Sequence, residues 1–226
     1  MEHTLGRRAV LMGGLAAGAT LALPARVLAA GNTSGNAAAG NATAGYGVTP
    51  FVRTPYERRI LDVAARQVER VRPSLWRTDL VGIADFAQPS WKPRLHFANL
   101  ENGTVRSFLL AHGRGSDPMH SGWLQSFSNL PGSEATSRGA FLTCEWYQGK
   151  YGTSIRLKGM DTDNSAALER AIVMHPAWYV DAAMISKWGK IGRSEGCFAM
   201  SPEDFNEALI HLSGGRLLFS DRIGEG

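Results

Sequence analysis

The stretch Gly192-Arg193-Ser194-Glu195-Gly196-Cys197 sets a thiol directly after a glycine and four residues before Ser201-Pro202. A thiol becomes a nucleophile when ionised, and a nearby cation or imidazole promotes ionisation. Gly196 lets a substrate carbonyl come close and can turn its N–H toward a reaction centre. Arg193 can add positive potential. His175 lies twenty-two residues upstream, at the end of the apolar run Ala171-Ile172-Val173-Met174. An imidazole at a strand end, facing a loop, is well placed to take a thiol proton. Plainer readings compete with this one. Cys197 can be an inert buried thiol, or it can pair with Cys144, the other cysteine of the chain. His175 can be a surface histidine beside a proline turn.

The elements that would position these groups can be read from periodicity. Ile60, Leu61, Ala64, Val68 and Val71 recur at helical spacing after Thr54-Pro55, a cap and first helical residue, so a helix is expected from 54 to 72. Strand-like runs follow at 81–86, 94–100 and 104–112, the last two joined by Glu101-Asn102-Gly103 as a hairpin turn. A second hairpin is expected from 140–149 and 153–159 through Lys150-Tyr151-Gly152. Residues 164–170 suggest a short helix, and 171–175 a strand running out to His175. Ser201-Pro202-Glu203-Asp204 starts a helix to about Leu212, with a Ser cap and acids against the helix dipole. Residues 216–220 read as a last strand. The fold class implied is β-rich α+β with a few flanking helices.

The N-terminus reads as an export signal. Arg7-Arg8 precedes a charge-free apolar stretch, Ala9 to Leu23, and Val27-Leu28-Ala29 offers small residues for cleavage. Fifteen apolar residues are short for a membrane span. The paired arginines resemble a twin-arginine signal, with a Sec signal or an uncleaved anchor as alternatives. All three put the working domain outside the cytoplasm, in the periplasm. Residues 30–53 are rich in Gly, Ala, Asn and Thr and read as a linker; 54–226 is the working domain. The net charge of +4 falls to about +2 without residues 1–29. Basic residues are scattered, so nucleic acid is not an expected partner.

His112, Asp117 and His120 are three possible metal ligands within nine residues, but no HExxH or further ligand motif accompanies them. No metal or cofactor is expected. Arg114 and Arg138 could clasp carboxylates bidentately, or be solvated loop charges. Trp178 and Tyr179, just after His175, are the aromatics expected beside the cleft.

Ser194-Glu195-Gly196-Cys197 resembles the S-H-G-C signature of YkuD-type L,D-transpeptidases, with Glu195 in place of the signature histidine. His175 matches the upstream histidine of that family. The resemblance to its divergent murein L,D-transpeptidase branch also takes in residues 112–116, 126–129, 133–139, 149–152, 156–159, 178–180 and 192–197, and covers about 60–222. It implies a YkuD-like catalytic domain of mixed β-sheets. It implies a site in which Cys197, His175, Ser194 and Gly196 carry the chemistry and His112 binds substrate or holds its loop. A backbone carbonyl should orient the histidine, expected near the 194–196 turn. Glu195 should point away from the thiol, to solvent or Arg193. The implied substrates are peptidoglycan stem peptides, crosslinked through a Cys thioester; with water as acceptor the same site is a carboxypeptidase or endopeptidase. Carbapenem inhibition belongs to the same expectation. An inactive wall-binding domain is the alternative from another class.

Overall fold

The computed structural model describes residues 53–224. The leader and nearly all of the linker lie outside the described residues. The fold follows from one sheet. Helix α1 (Pro55–Val71) opens the domain. Strands β1 (Leu80–Asp85), β2 (Leu95–Asn99) and β3 (Thr104–Phe108) follow, then the long β4–β5 hairpin (Gly139–Gly149 and Gly152–Gly159). Strand β6 (Val173–Pro176), helix α2 (Ala182–Trp188), strand β7 (Phe198–Met200), helix α3 (Pro202–His211) and strand β8 (Leu217–Asp221) complete it. The spatial order is β3-β2-β1-β8-β4-β5-β6-β7. The β1/β8 and β6/β7 pairs are parallel and the others antiparallel.

The sheet must curl. Ala111 bridges Ala199 in β7, only three residues after β3 ends at Phe108. Three residues span at most about 10 Å, whereas β3 and β7 would lie about 34 Å apart in a flat eight-stranded sheet. All eight strands therefore send side chains to one shared interior, among them Ala84, Leu95, Phe97, Phe108, Phe141, Leu157, Met174, Phe198 and Leu218. Helix α3 fills it with Phe205, Ala208 and Leu212. On the outside, α1 lays Ile60, Val63, Ala64, Val68 and Val71 over Val81, Ile83, Ala98, Ala140, Leu217 and Phe219.

Local sequence explains the elements. Thr54 caps α1, its hydroxyl accepting from the Glu57 N–H while the Glu57 carboxylate accepts from the Thr54 N–H. Ser201 caps α3 in the same way through the Asp204 N–H. The helix expected at 164–170 does not form. Asp161 and Asn164 close a capping box around a 3₁₀ turn at Thr162–Asn164, and Asn164 donates to the Ala140 carbonyl. Turns then carry the chain to Ala171, which is left-handed at φ 53°. Two elements went unread. Helix α2 is announced by Asp181, whose carboxylate accepts from the Ala183 N–H, and closed by Gly189 at φ 72°. Strand β7 is only three residues long, too short for a pattern.

Burial holds His96 down to about 4. Burial, helped by the charge of Arg94, holds His112 down to about 3. Below the ordinary histidine value near 6.5 the unfolded chain takes up protons that the folded chain refuses, so stability is lost as pH falls. Urea midpoints should therefore drop steadily between pH 6.5 and 4. A midpoint constant over that window would show that these histidines are not buried neutral.

Candidate active site

The β6/β7 ladder builds the centre of the site. Met174 pairs with Phe198 and His175 with Ala199, in parallel. Met174, Phe198 and Met200 face the interior of the curl, so His175 and Ala199 face outward. Cys197 immediately precedes β7, on the parity that shares the outward face. By strand spacing its Cα lies diagonally about 8 Å from that of His175. Cys197 is 8% exposed and His175 2%. Both cysteines are free, so the Cys144–Cys197 disulfide is not formed.

The imidazole is fixed by the carbonyl of Pro176, 2.9 Å from Nδ1. A carbonyl only accepts, so Nδ1 carries the proton and Nε2 keeps its lone pair. The orienting carbonyl is thus the residue next to the histidine, not one in the 194–196 turn. Burial holds His175 below the ordinary imidazole value, partly opposed by the Pro176 carbonyl. It is neutral at pH 7, ready to act as a base.

The Cys197 thiol donates to the Ala171 carbonyl at 3.7 Å. Burial pushes it up; the Val173 N–H and the Arg170 guanidinium pull it back, and Glu195 opposes them. Ser194 shapes the turn: its hydroxyl donates to the Cys197 carbonyl at 2.6 Å and accepts from the Gly196 N–H at 3.2 Å. Gly196 has φ 111°, and a Cβ there would fall 2.9 Å from the Ala135 carbonyl. A Cβ on Gly113 would lie 2.7 Å from the Gly196 Cα, so these two glycines allow two backbones to touch.

Several expected substrate contacts do other work. His112 is fully buried, with Nδ1 2.5 Å from Arg94 Nη2 and Nε2 3.4 Å from Asp117 Oδ2. It is sealed from solvent and braces the 112–117 loop. Arg193 donates to the Asp117 and Pro118 carbonyls, away from the thiol, because its guanidinium is the tie between the 192–194 and 117–118 loops. Arg138 pairs with Asp221 and lines a cleft with Gln67 and Arg70 beside α1. It is taken up on that side of the domain, not at Cys197. Glu195 turns to the exposed Arg114, 3.5 Å away, not to Arg193. Arg114 also pairs with Glu134. Trp178 is 76% exposed, edge-on to Tyr179. Burial and the nearby Cys197, Tyr151 and Glu195 raise the Tyr179 phenol.

Two contributors were not anticipated. Tyr151, at the tip of the β4–β5 hairpin, stacks on His175 with ring centres 4.4 Å apart, its hydroxyl 3.5 Å from Glu195. Arg170 sits behind Gly196. Tyr151 lies in the 149–152 segment that the resemblance takes in, though no role was read for it; Arg170 has no sequence signal and reaches the site only through the fold. Of the suspected metal ligands, His112 and Asp117 face one another while His120 Nε2 meets the Ile191 carbonyl at 2.9 Å.

With this geometry in hand, comparison with known proteins is decisive. Residues 54–220 match the family model described as the L,D-transpeptidase catalytic domain. The chain belongs to that L,D-transpeptidase family. No curated protein matches it. Solved structures resemble the domain more distantly. An L,D-transpeptidase from Mycobacterium smegmatis is 15% identical, over 63% of this chain and 58% of that one, with a TM-score of 0.40. L,D-transpeptidase 3 from Mycobacterium tuberculosis, in complex with a faropenem-derived adduct, is 13% identical over 63% and 60%, TM-score 0.39. The helical cell shape determining protein Pgp2 from Campylobacter jejuni is 12% identical over 76% and 58%, TM-score 0.41. This chain spans about three-fifths of the length of these three.

Unfolding the oxidised protein without reductant should expose two thiols to a disulfide reagent; one or none would mean a bridge. Ser194→Ala leaves a buried Gly196 N–H unsatisfied and should cost about 1–3 kcal/mol in chemical denaturation.

Proposed function

We propose that this member of the family is a peptidoglycan L,D-transpeptidase that forms stem-peptide crosslinks through a thioester on Cys197, outside the cytoplasm. The observation that carries this reading is the state of His175: Nδ1 is tied to the Pro176 carbonyl, Nε2 is left basic, and the ring shares a face with Cys197. Nε2 takes the thiol proton as sulfur attacks a stem-peptide carbonyl. The imidazolium then protonates the departing amine, and a thioester remains. An amine of a second stem attacks it, with His175 again as base. Backbone N–H groups stabilise the oxyanion, that of Cys197 among them. The Gly196 N–H is already committed to Ser194.

Because burial raises the Cys197 thiol and lowers His175, the resting pair is neutral thiol and neutral imidazole rather than a preformed ion pair. Tyr151 covers one face of the imidazole. The exposed rim beside it carries Arg114, which a stem carboxylate would have to share with Glu134, and Glu195, whose charge favours an ammonium acceptor over water. Trp178 and Tyr179 supply the apolar side of the groove.

Incubating the mature protein with sacculi should yield new muropeptide dimers, and Cys197→Ala should abolish them. Shortened monomers instead of dimers would make the protein a hydrolase, and an unchanged profile a wall-binding domain. A carbapenem carbonyl is an acyl donor to the same thiol, so intact mass should rise by one drug molecule in the wild type and not in Cys197→Ala. The acid limb of kcat/KM should fall below pH 6.5, since the base stays deprotonated to lower pH than free imidazole. A limb above 6.5 would contradict His175 in that role.

A further inference from the structure

Glu195 is a carboxylate next to a thiol that must become an anion, at the position where the family signature has a histidine. Some group has to offset it. Arg193, the obvious basic neighbour in sequence, is turned toward the Asp117 and Pro118 carbonyls. The charged or titratable groups that act on the thiol or on its neighbours are Arg170, Glu195, His175, Tyr151, Tyr179 and Arg114, the last paired with the Glu195 and Glu134 carboxylates at the exposed rim. His175 is neutral at rest, and Tyr179 is a neutral phenol whose ionisation the site resists. Arg114 is taken up by two carboxylates, which leaves Arg170 as the cation that acts on the sulfur itself.

Its placement is unusually rigid. Nη1 donates to the Ser128 carbonyl at 2.8 Å and to Ser137 Oγ at 2.5 Å. Nη2 donates to the Ala135 carbonyl at 2.5 Å and to Ser133 Oγ at 3.3 Å. Four of its five N–H donors are therefore held by the 128–137 loop. The same Nη2 would lie 3.2 Å from a Cβ on Gly196, the residue before the nucleophile. The next residue in the chain, Ala171, adopts left-handed backbone and presents the carbonyl that the thiol faces. Arg170 and Ala171 together form the back wall of the sulfur pocket. All four acceptors are neutral oxygens, so the guanidinium charge is solvated by the loop but not cancelled by a carboxylate.

We propose that Arg170 is the positioning residue for the Cys197 thiolate: its guanidinium, clamped against Gly196 by the 128–137 loop, is the fixed positive charge that stabilises sulfur as an anion and as a leaving group. It acts through the field and not as a donor to sulfur, because its Nη hydrogens are spoken for. Attack on the thioester by the second amine regenerates a thiolate, and the same charge eases that departure. The residue thus serves both halves of the reaction, while the proton moves through His175. The mechanistic part of this inference rests on the function proposed above; the electrostatic part does not.

The test reads thiol ionisation directly. The rate of Cys197 alkylation by iodoacetamide is followed against pH on the mature chain, with the modified residue assigned by peptide mass. Arg170→Gln should move the apparent thiol pKa up by at least one unit and slow alkylation at pH 7 about tenfold, and Arg170→Lys should recover most of it. Ser137→Ala, which loosens the clamp and keeps the charge, should leave the pKa within about 0.3 units. An Arg170→Gln profile that matches the wild type in a folded protein overturns the proposal, as does a Ser137→Ala shift as large as that of Arg170→Gln. Should Arg170→Gln fail to fold, the wild type alone decides. Its native Cys197 should favour anionic iodoacetate over neutral iodoacetamide at least threefold more than the urea-unfolded chain does, and an equal preference overturns the idea. The sacculus assay stands apart: a shifted thiol profile with unchanged muropeptides keeps Arg170 and removes the transpeptidase reading, and the reverse pairing does the opposite.

Discussion

Ser194 is hydrogen-bonded on both sides to the strand that leaves β3. Its N–H donates to the His112 carbonyl, and its carbonyl accepts from the Arg114 N–H. This double bond between two loops is the constraint on which the site depends. It presses Gly113 against Gly196, which no side chain at either position would permit. It also fixes the turn that carries Cys197, because the Ser194 hydroxyl then holds the Cys197 carbonyl and the Gly196 N–H together. Behind it stands the buried Arg94–His112–Asp117 chain. Arg94 has no acceptor capacity, so His112 must present a bare Nδ1 to it and donate from Nε2 to Asp117. A buried charge of this kind favours one arrangement of the loop, because another would take His112 from Arg94 Nη2, whose Nε and Nη1 are held by the Leu110 and Gln88 carbonyls.

Much of the scaffold was legible in the sequence. The helix over 54–72 was announced by Thr54, Pro55 and the apolar stripe, and the two hairpins by Asn102-Gly103 and by the pattern around 150–152. The fold class and family followed from Cys197 and His175 with their flanking segments, and the match over 54–220 bears this out. Short elements escaped: a three-residue strand has no period, and β7 owes its existence to its partner β6. The helix expected at 164–170 failed because Asn164 and Asp161 found better bonds locally than a helix could offer.

The inner details of the site were less legible, for a consistent reason. Charge and residue type tell what a side chain can do, but not where it points. Arg193 and Arg138 were reasonable candidates by chemistry, yet each is occupied elsewhere, at the 117–118 carbonyls and at Asp221. His112 looked available and is sealed in. Conversely, Arg170 looked like the polar end of a helix and stands behind the sulfur. Tyr151 looked like a hairpin tip and covers the imidazole. Both effects come from strand pairing between residues far apart in the chain.

That pairing also bears on how the domain is made. The pocket around the sulfur is drawn from residues 112–114, 128–137, 170–176 and 194–197, and its closing bond joins Ala111 to Ala199. Contacts between such distant points must cover the entropy of a long closed loop before they return any energy, and they come slowly. A chain only partly collapsed has a cysteine but no oriented imidazole and no turn to hold them. The arrangement of imidazole and turn around Cys197 is thus one that the molecule gains only on completing its curl. A nascent copy carries the same atoms as an ordinary thiol.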